Sequence, residues 1–106
     1  LIDALKLFRD DREWEQFHNP KDLSIALSLE ANELMELYLW KNASQIDEVD
    51  RERVKEELAD VFSFAFLLLD KYDLDLETIV NDKIRKNKLK YPIKKSKGIA
   101  TKYDEL

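Results

Sequence analysis

One glycine, Gly98, and two prolines, Pro20 and Pro92, are all the Gly and Pro in this chain of 106 residues. An all-β fold needs tight turns built from such residues, whereas Leu, Lys, Glu and Ala, which favour helices, dominate here. The chain is therefore expected to be all-α. Its length suits a single domain, residues 1–106, with residues 92–106 as a C-terminal tail. Because a domain of this size has little interior, oligomerisation is a natural way to cover further apolar surface. The absence of cysteine removes both a disulfide framework and a thiolate metal site. The longest apolar run, Val61 to Leu69 interrupted only by Ser63, falls short of the roughly 20 residues needed to span a bilayer. The chain starts inside an amphipathic pattern rather than with a basic segment followed by an apolar one. A cytoplasmic location is the expectation.

Apolar periodicity predicts four helices. Ile2, Leu5 and Phe8 recur at helical spacing within residues 1–16. "HNPKD" then starts a second helix, with Asn19 as cap, Pro20 at the first position and Asp22 at the positive end. That helix is expected to run to Trp40 or Lys41, followed by a loop near residues 42–48. A third helix is predicted from Asp50 to Lys71, its second half apolar all round, as in a helix packed on every side. A fourth is predicted over residues 75–90, ended by Pro92, with an extended tail beyond it. Short connections make consecutive helices antiparallel neighbours, so the expected architecture is a four-helix bundle.

Two neighbouring helices each carry acids three residues apart beside their apolar runs: Glu30 and Glu33 in "EANELMELYLWK", Glu57 and Asp60 in "EELADVFSFAFLLLD". Positions i and i+3 share a helix face, so each pair presents two carboxylates to one region. Four converging negative charges repel one another and resist burial, and a divalent cation removes both difficulties. Oxygen ligands without sulfur or imidazole select Mg²⁺, with Mn²⁺ as a substitute, and Mg²⁺ completes its shell with water and phosphate oxygens. The spacing alone is not specific, since roughly five such pairs are expected by chance in so acidic a chain, and Glu33 with Glu36 forms another. The adjacent apolar runs are what set these four apart from acids on a solvated rim.

Two further groups of residues bear on function. From Lys83 to Lys102 there are nine Lys or Arg and no acid, while 21 of the 23 acids lie in residues 1–82, so the net charge of −5 conceals a basic segment that could attend a polyanion. Trp14, Phe17 and His18 precede the second helix, and Tyr38 and Trp40 end it. Such aromatics are more often core than site. If the first helix packs near the end of the second, the two Trp rings and the imidazole could line a slot for a flat base.

Together, "DREWEQFHNPKDLSIALSLEANELMELYLWK", "EELADV", "KIRKNKLKYP" and "KYDEL" resemble the MazG-like all-α nucleoside triphosphate pyrophosphohydrolases, and within them the dCTP pyrophosphatase branch. The resemblance runs from about Asp11 to Leu106. It implies a helical bundle assembled as a dimer or dimer of dimers, with an active site built partly across subunits. It also implies Mg²⁺-dependent cleavage of dCTP or a modified dCTP to the monophosphate and pyrophosphate. The family's Glu-x-x-Glu and Glu-x-x-Asp fall on Glu30, Glu33, Glu57 and Asp60, which become the metal ligands and catalytic acids. Glu33, Glu57 and Asp60 are then direct ligands, and Glu30 is either a fourth ligand or the base that orients water. Trp14, His18 and Trp40 would surround the base, Lys83 and Asn87 would face the phosphates, and Lys102 with Tyr103 would belong to a tail closing over the nucleotide. Phe64 departs from the family, in which relatives carry Tyr one turn after the last acid, and this bears on how the sugar is read.

Other functions fit the residues less well. A ferritin-like di-metal bundle needs Glu-x-x-His pairs, and His18, the one histidine, does not follow a Glu by three. A helical oligomerisation module accounts for the composition but not for aromatics grouped with acids. A family member acting on dUTP or damaged nucleotides stays open, because stacking tolerates any base. Nucleic-acid binding by the basic segment is disfavoured by the acidic remainder.

Overall fold

The computed structural model describes all of residues 1–106. Its elements are helical throughout: α1 (Ile2–Asp11), α2 (Pro20–Glu36), α3 (Arg51–Lys71), α4 (Leu76–Lys90) and the single turn α5 (Ile93–Ser96), with short 3₁₀ turns at Glu15–Phe17, Ala43–Glu48 and Tyr103–Glu105. Side chains fix three helix starts by accepting backbone N–H groups that a helix cannot satisfy itself. Asn19 accepts from the Asp22 amide at 2.8 Å, Asp50 from Glu52 at 3.0 Å, and Asp75 from Thr78 at 3.0 Å.

The helix ends are less regular. In the absence of glycine, Glu13, Trp40 and Asp73 take left-handed φ values of 56°, 62° and 51°. At the end of α1 the Glu13 amide donates to Asp10 O at 3.0 Å and the Trp14 amide to Arg9 O at 3.1 Å. This is the paired closure usually made with glycine, and it turns Trp14 back so that its ring meets Phe8 edge-on at 5.8 Å. The first helix therefore stops at Asp11, short of the expected residue 16. The second stops at Glu36 rather than near residue 40, because the amides of Leu37, Tyr38 and Leu39 donate three residues back, to Leu34, Met35 and Glu36. The predicted loop at 42–48 contains a 3₁₀ turn opened by reciprocal hydrogen bonds between Asn42 and Gln45.

The chain divides into two compact units, Leu1–Asp73 and Leu74–Leu106. In the first, α2 and α3 form the main packed pair and α1 lies against α3. The buried apolar residues are Leu23, Leu37 and Leu67, of which Leu23 is fully enclosed, and Arg9 is the one buried charged residue. Lys6 with Asp70 (3.5 Å) and Lys71 with Glu15 (3.4 Å) tie α1 and its following turn to the end of α3. Such partly exposed pairs contribute about 0–1 kcal/mol each. Ile25 and Leu29 on α2, and Leu58 and Phe62 on α3, remain exposed at one-turn spacing.

In the second unit, the tail is not extended throughout as expected. Pro92 precedes α5, and Tyr103 packs its ring edge-on against Tyr91 at 6.0 Å, with the Lys90 ammonium 4.8 Å above its face. No helix in the chain is long and apolar enough to cross a membrane.

Candidate active site

The packing of α2 on α3 brings the acidic pairs together. One carboxylate oxygen from each of Glu30, Glu33 and Glu57 lies within 4.8 Å of the others. Glu30 and Glu57 are half-buried, and each has an Oε2 atom sealed from solvent without a hydrogen-bond partner. Asp60 lies outside that group of three and is exposed, but its charge bears on both Glu30 and Glu57.

These carboxylates share an unfavourable environment. Burial, the close approach of Glu33 and the charges of Asp60 and Glu57 push the Glu30 pKa from 4.5 up to about 7. Burial, Glu33 and Asp60 raise Glu57 in the same direction, and Arg53 opposes them. Acids on a solvated rim would find basic partners, yet the chain's ion pairs lie elsewhere, as in Lys6–Asp70, Arg9–Asp10 and Lys55–Glu52. A hard divalent cation fits this donor set. Opposed oxygens around Mg²⁺ lie about 4 Å apart, close to the spacing here, and the orphaned oxygens would gain the partner they lack.

Glu30 and Asp60 also stand at the edge of a largely apolar cavity of about 440 Å³, walled by Phe8, Trp14, His18 and Phe64. The His18 and Phe64 rings meet edge-on, with centroids 6.4 Å apart. Burial, reinforced by the positive charges of Arg9 and Lys71, holds the His18 pKa below 6.5, so its imidazole is neutral at pH 7. Its Nδ1 is buried without a partner. Glu33 and Glu57 border a second, more polar cavity of about 670 Å³ that includes Glu36, Lys41 and Arg53. The carboxylates thus lie between a space suited to a flat ring and one suited to charged groups.

Trp14 and His18 both line the aromatic cavity. Trp40 is not on that cavity: it is 91% exposed, on the turn after α2. Phe17 and Tyr38 are likewise exposed, Tyr38 less so. Lys83 and Asn87 are one turn apart on α4, Lys83 exposed and Asn87 half-buried. Lys102 is exposed at the start of the last 3₁₀ turn, beside Tyr103. Phe8 and Arg9 were not anticipated as site residues, although both line the aromatic cavity. Arg9 stands four residues after Leu5, on the same apolar stripe of α1, which is a position where a charged residue signals a special role.

A model of the MazG-like family matches residues 25–106, a span that includes all four acids and the basic segment. The chain is 36% identical to dCTP pyrophosphatase 1 of Rattus norvegicus and 35% identical to that of Homo sapiens. Each match runs over 104 residues, covering 93% of this chain and 61% of the relative. The chain therefore spans less than two thirds of those mammalian proteins. A solved pyrophosphatase structure from Archaeoglobus fulgidus superposes with a TM-score of 0.81 at 36% identity, covering 85% of this chain and 87% of that one.

Proposed function

This chain belongs to the MazG-like family, and on that premise we propose that it hydrolyses a nucleoside triphosphate, dCTP or a modified dCTP, to the monophosphate and pyrophosphate. The observation that carries this reading is the convergence of Glu30, Glu33 and Glu57 beside an aromatic cavity, with two buried carboxylate oxygens left unpaired. The activity borne in the names of the mammalian and archaeal relatives supports it.

Glu33, Glu57 and Asp60 would hold Mg²⁺, or Mn²⁺ in its place, with Glu30 as a fourth ligand or as the group that orients water. Such a cation would supply positive charge to the triphosphate and the departing pyrophosphate. In the second role Glu30 accepts a proton from the water that attacks the α-phosphorus. Positioning and charge stabilisation suffice for such a transfer, so no covalent nucleophile is required. Trp14 and His18 hold the base in the cavity, where the neutral imidazole can donate one hydrogen bond and accept another. Lys83, Asn87, Lys102 and Tyr103 serve nucleotide binding, the first two through its phosphates.

Residues 1–106 act as one catalytic domain in a homodimer or homotetramer. The exposed Ile25, Leu29, Leu58 and Phe62 supply apolar surface for that assembly, and the exposed Trp40 is offered to the base site of a second subunit. The substrate is a free nucleotide and not a nucleic acid, and the protein acts in the cytoplasm.

A panel of common and modified nucleoside triphosphates with Mg²⁺, analysed for products, tests the proposal. Monophosphate and pyrophosphate in equal amounts, highest with dCTP or a modified dCTP, is the expected result. Preference for dUTP or an oxidised nucleotide would move the substrate within the family. No pyrophosphate from any member of the panel would leave a helical oligomerisation module as the better account.

A further inference from the structure

The mechanism leaves one buried charged group unused. Arg9 ends α1 with only 4% of its side chain accessible, and it lines the aromatic cavity with Trp14, His18 and Phe64. Its single hydrogen bond runs from Nε to Asp10 Oδ1 at 2.8 Å. Nη2 lies 3.8 Å from Glu15 Oε2, an ion pair longer than a hydrogen bond. A guanidinium carries five N–H donors in a rigid fork suited to planar acceptors. Asp10 and Glu15 stand largely in solvent and compensate the charge from one side. They leave the terminal nitrogens without a hydrogen-bond acceptor in the protein, and because neither nitrogen is sealed off, both stay open to a ligand.

What would satisfy those donors follows from the surroundings. Glu30 and Asp60 at the edge of the same cavity disfavour an anion beside Arg9, and the guanidinium charge is already matched by two carboxylates. A neutral acceptor on a flat ring stacked among Phe8, Trp14 and Phe64 meets both conditions. The unpartnered Nδ1 of His18 is a second polar atom available to the same ring.

We propose that Arg9 is a specificity-determining residue that donates hydrogen bonds to a ring carbonyl of the nucleobase, so that cytosine and uracil are accepted and adenine, which has no carbonyl, is rejected. The inference rests on the pyrophosphohydrolase reading. It adds a recognition group on α1, where neither the acid motif nor the flanking aromatics had placed one. Asp10 fixes the plane of the fork, and Glu15 steadies its outer edge.

The test compares kcat and KM for dCTP, dUTP and dATP with Mg²⁺ in the wild-type chain, R9K and R9M, with helicity followed by circular dichroism. The wild type should favour both pyrimidines over dATP. In R9M the ratio of kcat/KM for the pyrimidines over dATP should fall about 10-fold or more, chiefly through KM, as expected for loss of a paired base contact. R9K, which keeps the charge without the fork, should fall part of the way. Should R9M fail to fold, the ratio in R9K decides. A purely structural arginine would lower all three substrates together, and a ratio unchanged within about twofold in the folded variants overturns the proposal, as does a wild type that prefers dATP. A wild type that releases pyrophosphate from no nucleotide defeats the pyrophosphohydrolase reading, and the Arg9 proposal falls with it.

Discussion

Glu30 on α2 and Glu57 on α3 each bury an Oε2 that no donor in the protein satisfies, and both contribute an oxygen to the same 4.8 Å cluster with Glu33. Two helices packed so as to strand two carboxylate oxygens together hold a fault in the isolated chain that a divalent cation corrects.

Replacing Glu57 by Gln should therefore separate stability from activity. Pyrophosphate release should fall at least about 100-fold, as for loss of a metal ligand rather than of its support. The metal-free protein should melt no lower than the wild type, because a charge repelled by Glu33 and Asp60 has gone. Activity assays and thermal melts in EDTA check the two halves, and a much lower melting temperature with activity retained would assign Glu57 to the scaffold.

The raised Glu30 pKa has a definite sign in its pH dependence. Between 4.5 and about 7 the folded chain binds more protons at this site than the unfolded one, so the stability contributed by Glu30 is present at low pH and lost as pH rises through about 7. Metal requires the ionised form. Affinity for Mg²⁺ should consequently rise through the same window, with protons released on binding. Melting temperatures measured from pH 5 to pH 8, with EDTA and with Mg²⁺, should diverge as pH rises; parallel curves would contradict the linkage.

The two tryptophans should behave differently. Trp14→Ala removes an aromatic wall of the cavity and should raise KM by about 5- to 150-fold, in line with the 1–3 kcal/mol attributed to stacking one base. Trp40→Ala should also weaken nucleotide binding, but only where subunits associate, and dilution to monomer should erase the difference. Titrations of a non-hydrolysable nucleotide at two protein concentrations provide the check.

Left-handed helix ends make a prediction about stability alone. Glu13→Gly should stabilise the fold by about 0.5–1 kcal/mol by relieving a φ of 56° while keeping the Glu13 amide bonded to Asp10. Chemical denaturation measures it, and a destabilised variant would show that the cost in unfolded-chain entropy is the larger effect.

Helix starts were readable in the sequence because Asn19, Asp50 and Asp75 are side chains whose hydrogen bonds define a cap. The ends of the first two helices were not, since Glu13 and Trp40 adopt conformations that glycine would have announced, whereas the third and fourth helices end at Lys71 and Lys90 as expected. The acid pairs were legible from spacing and apolar context, and the structure gathers three of the four into one cluster with Asp60 close enough to act on it electrostatically. Arg9 escaped notice although its place four residues after Leu5 puts it on the apolar stripe of α1; its side-chain bond to Asp10 and the packing of α1 on α3 are what that spacing does not encode. The surroundings of Trp40 depend on surfaces that one chain's sequence does not describe.

The central claim is that Glu30, Glu33 and Glu57, with Asp60, hold a divalent cation against a triphosphate. Mn²⁺ binding followed by electron paramagnetic resonance, with and without α,β-imido-dCTP, in the wild type and in Glu33→Gln tests it most directly. The account predicts that the nucleotide tightens Mn²⁺ binding to the wild type and that the substitution weakens binding in both conditions. Equal Mn²⁺ affinity in the two proteins, indifferent to nucleotide, would contradict it.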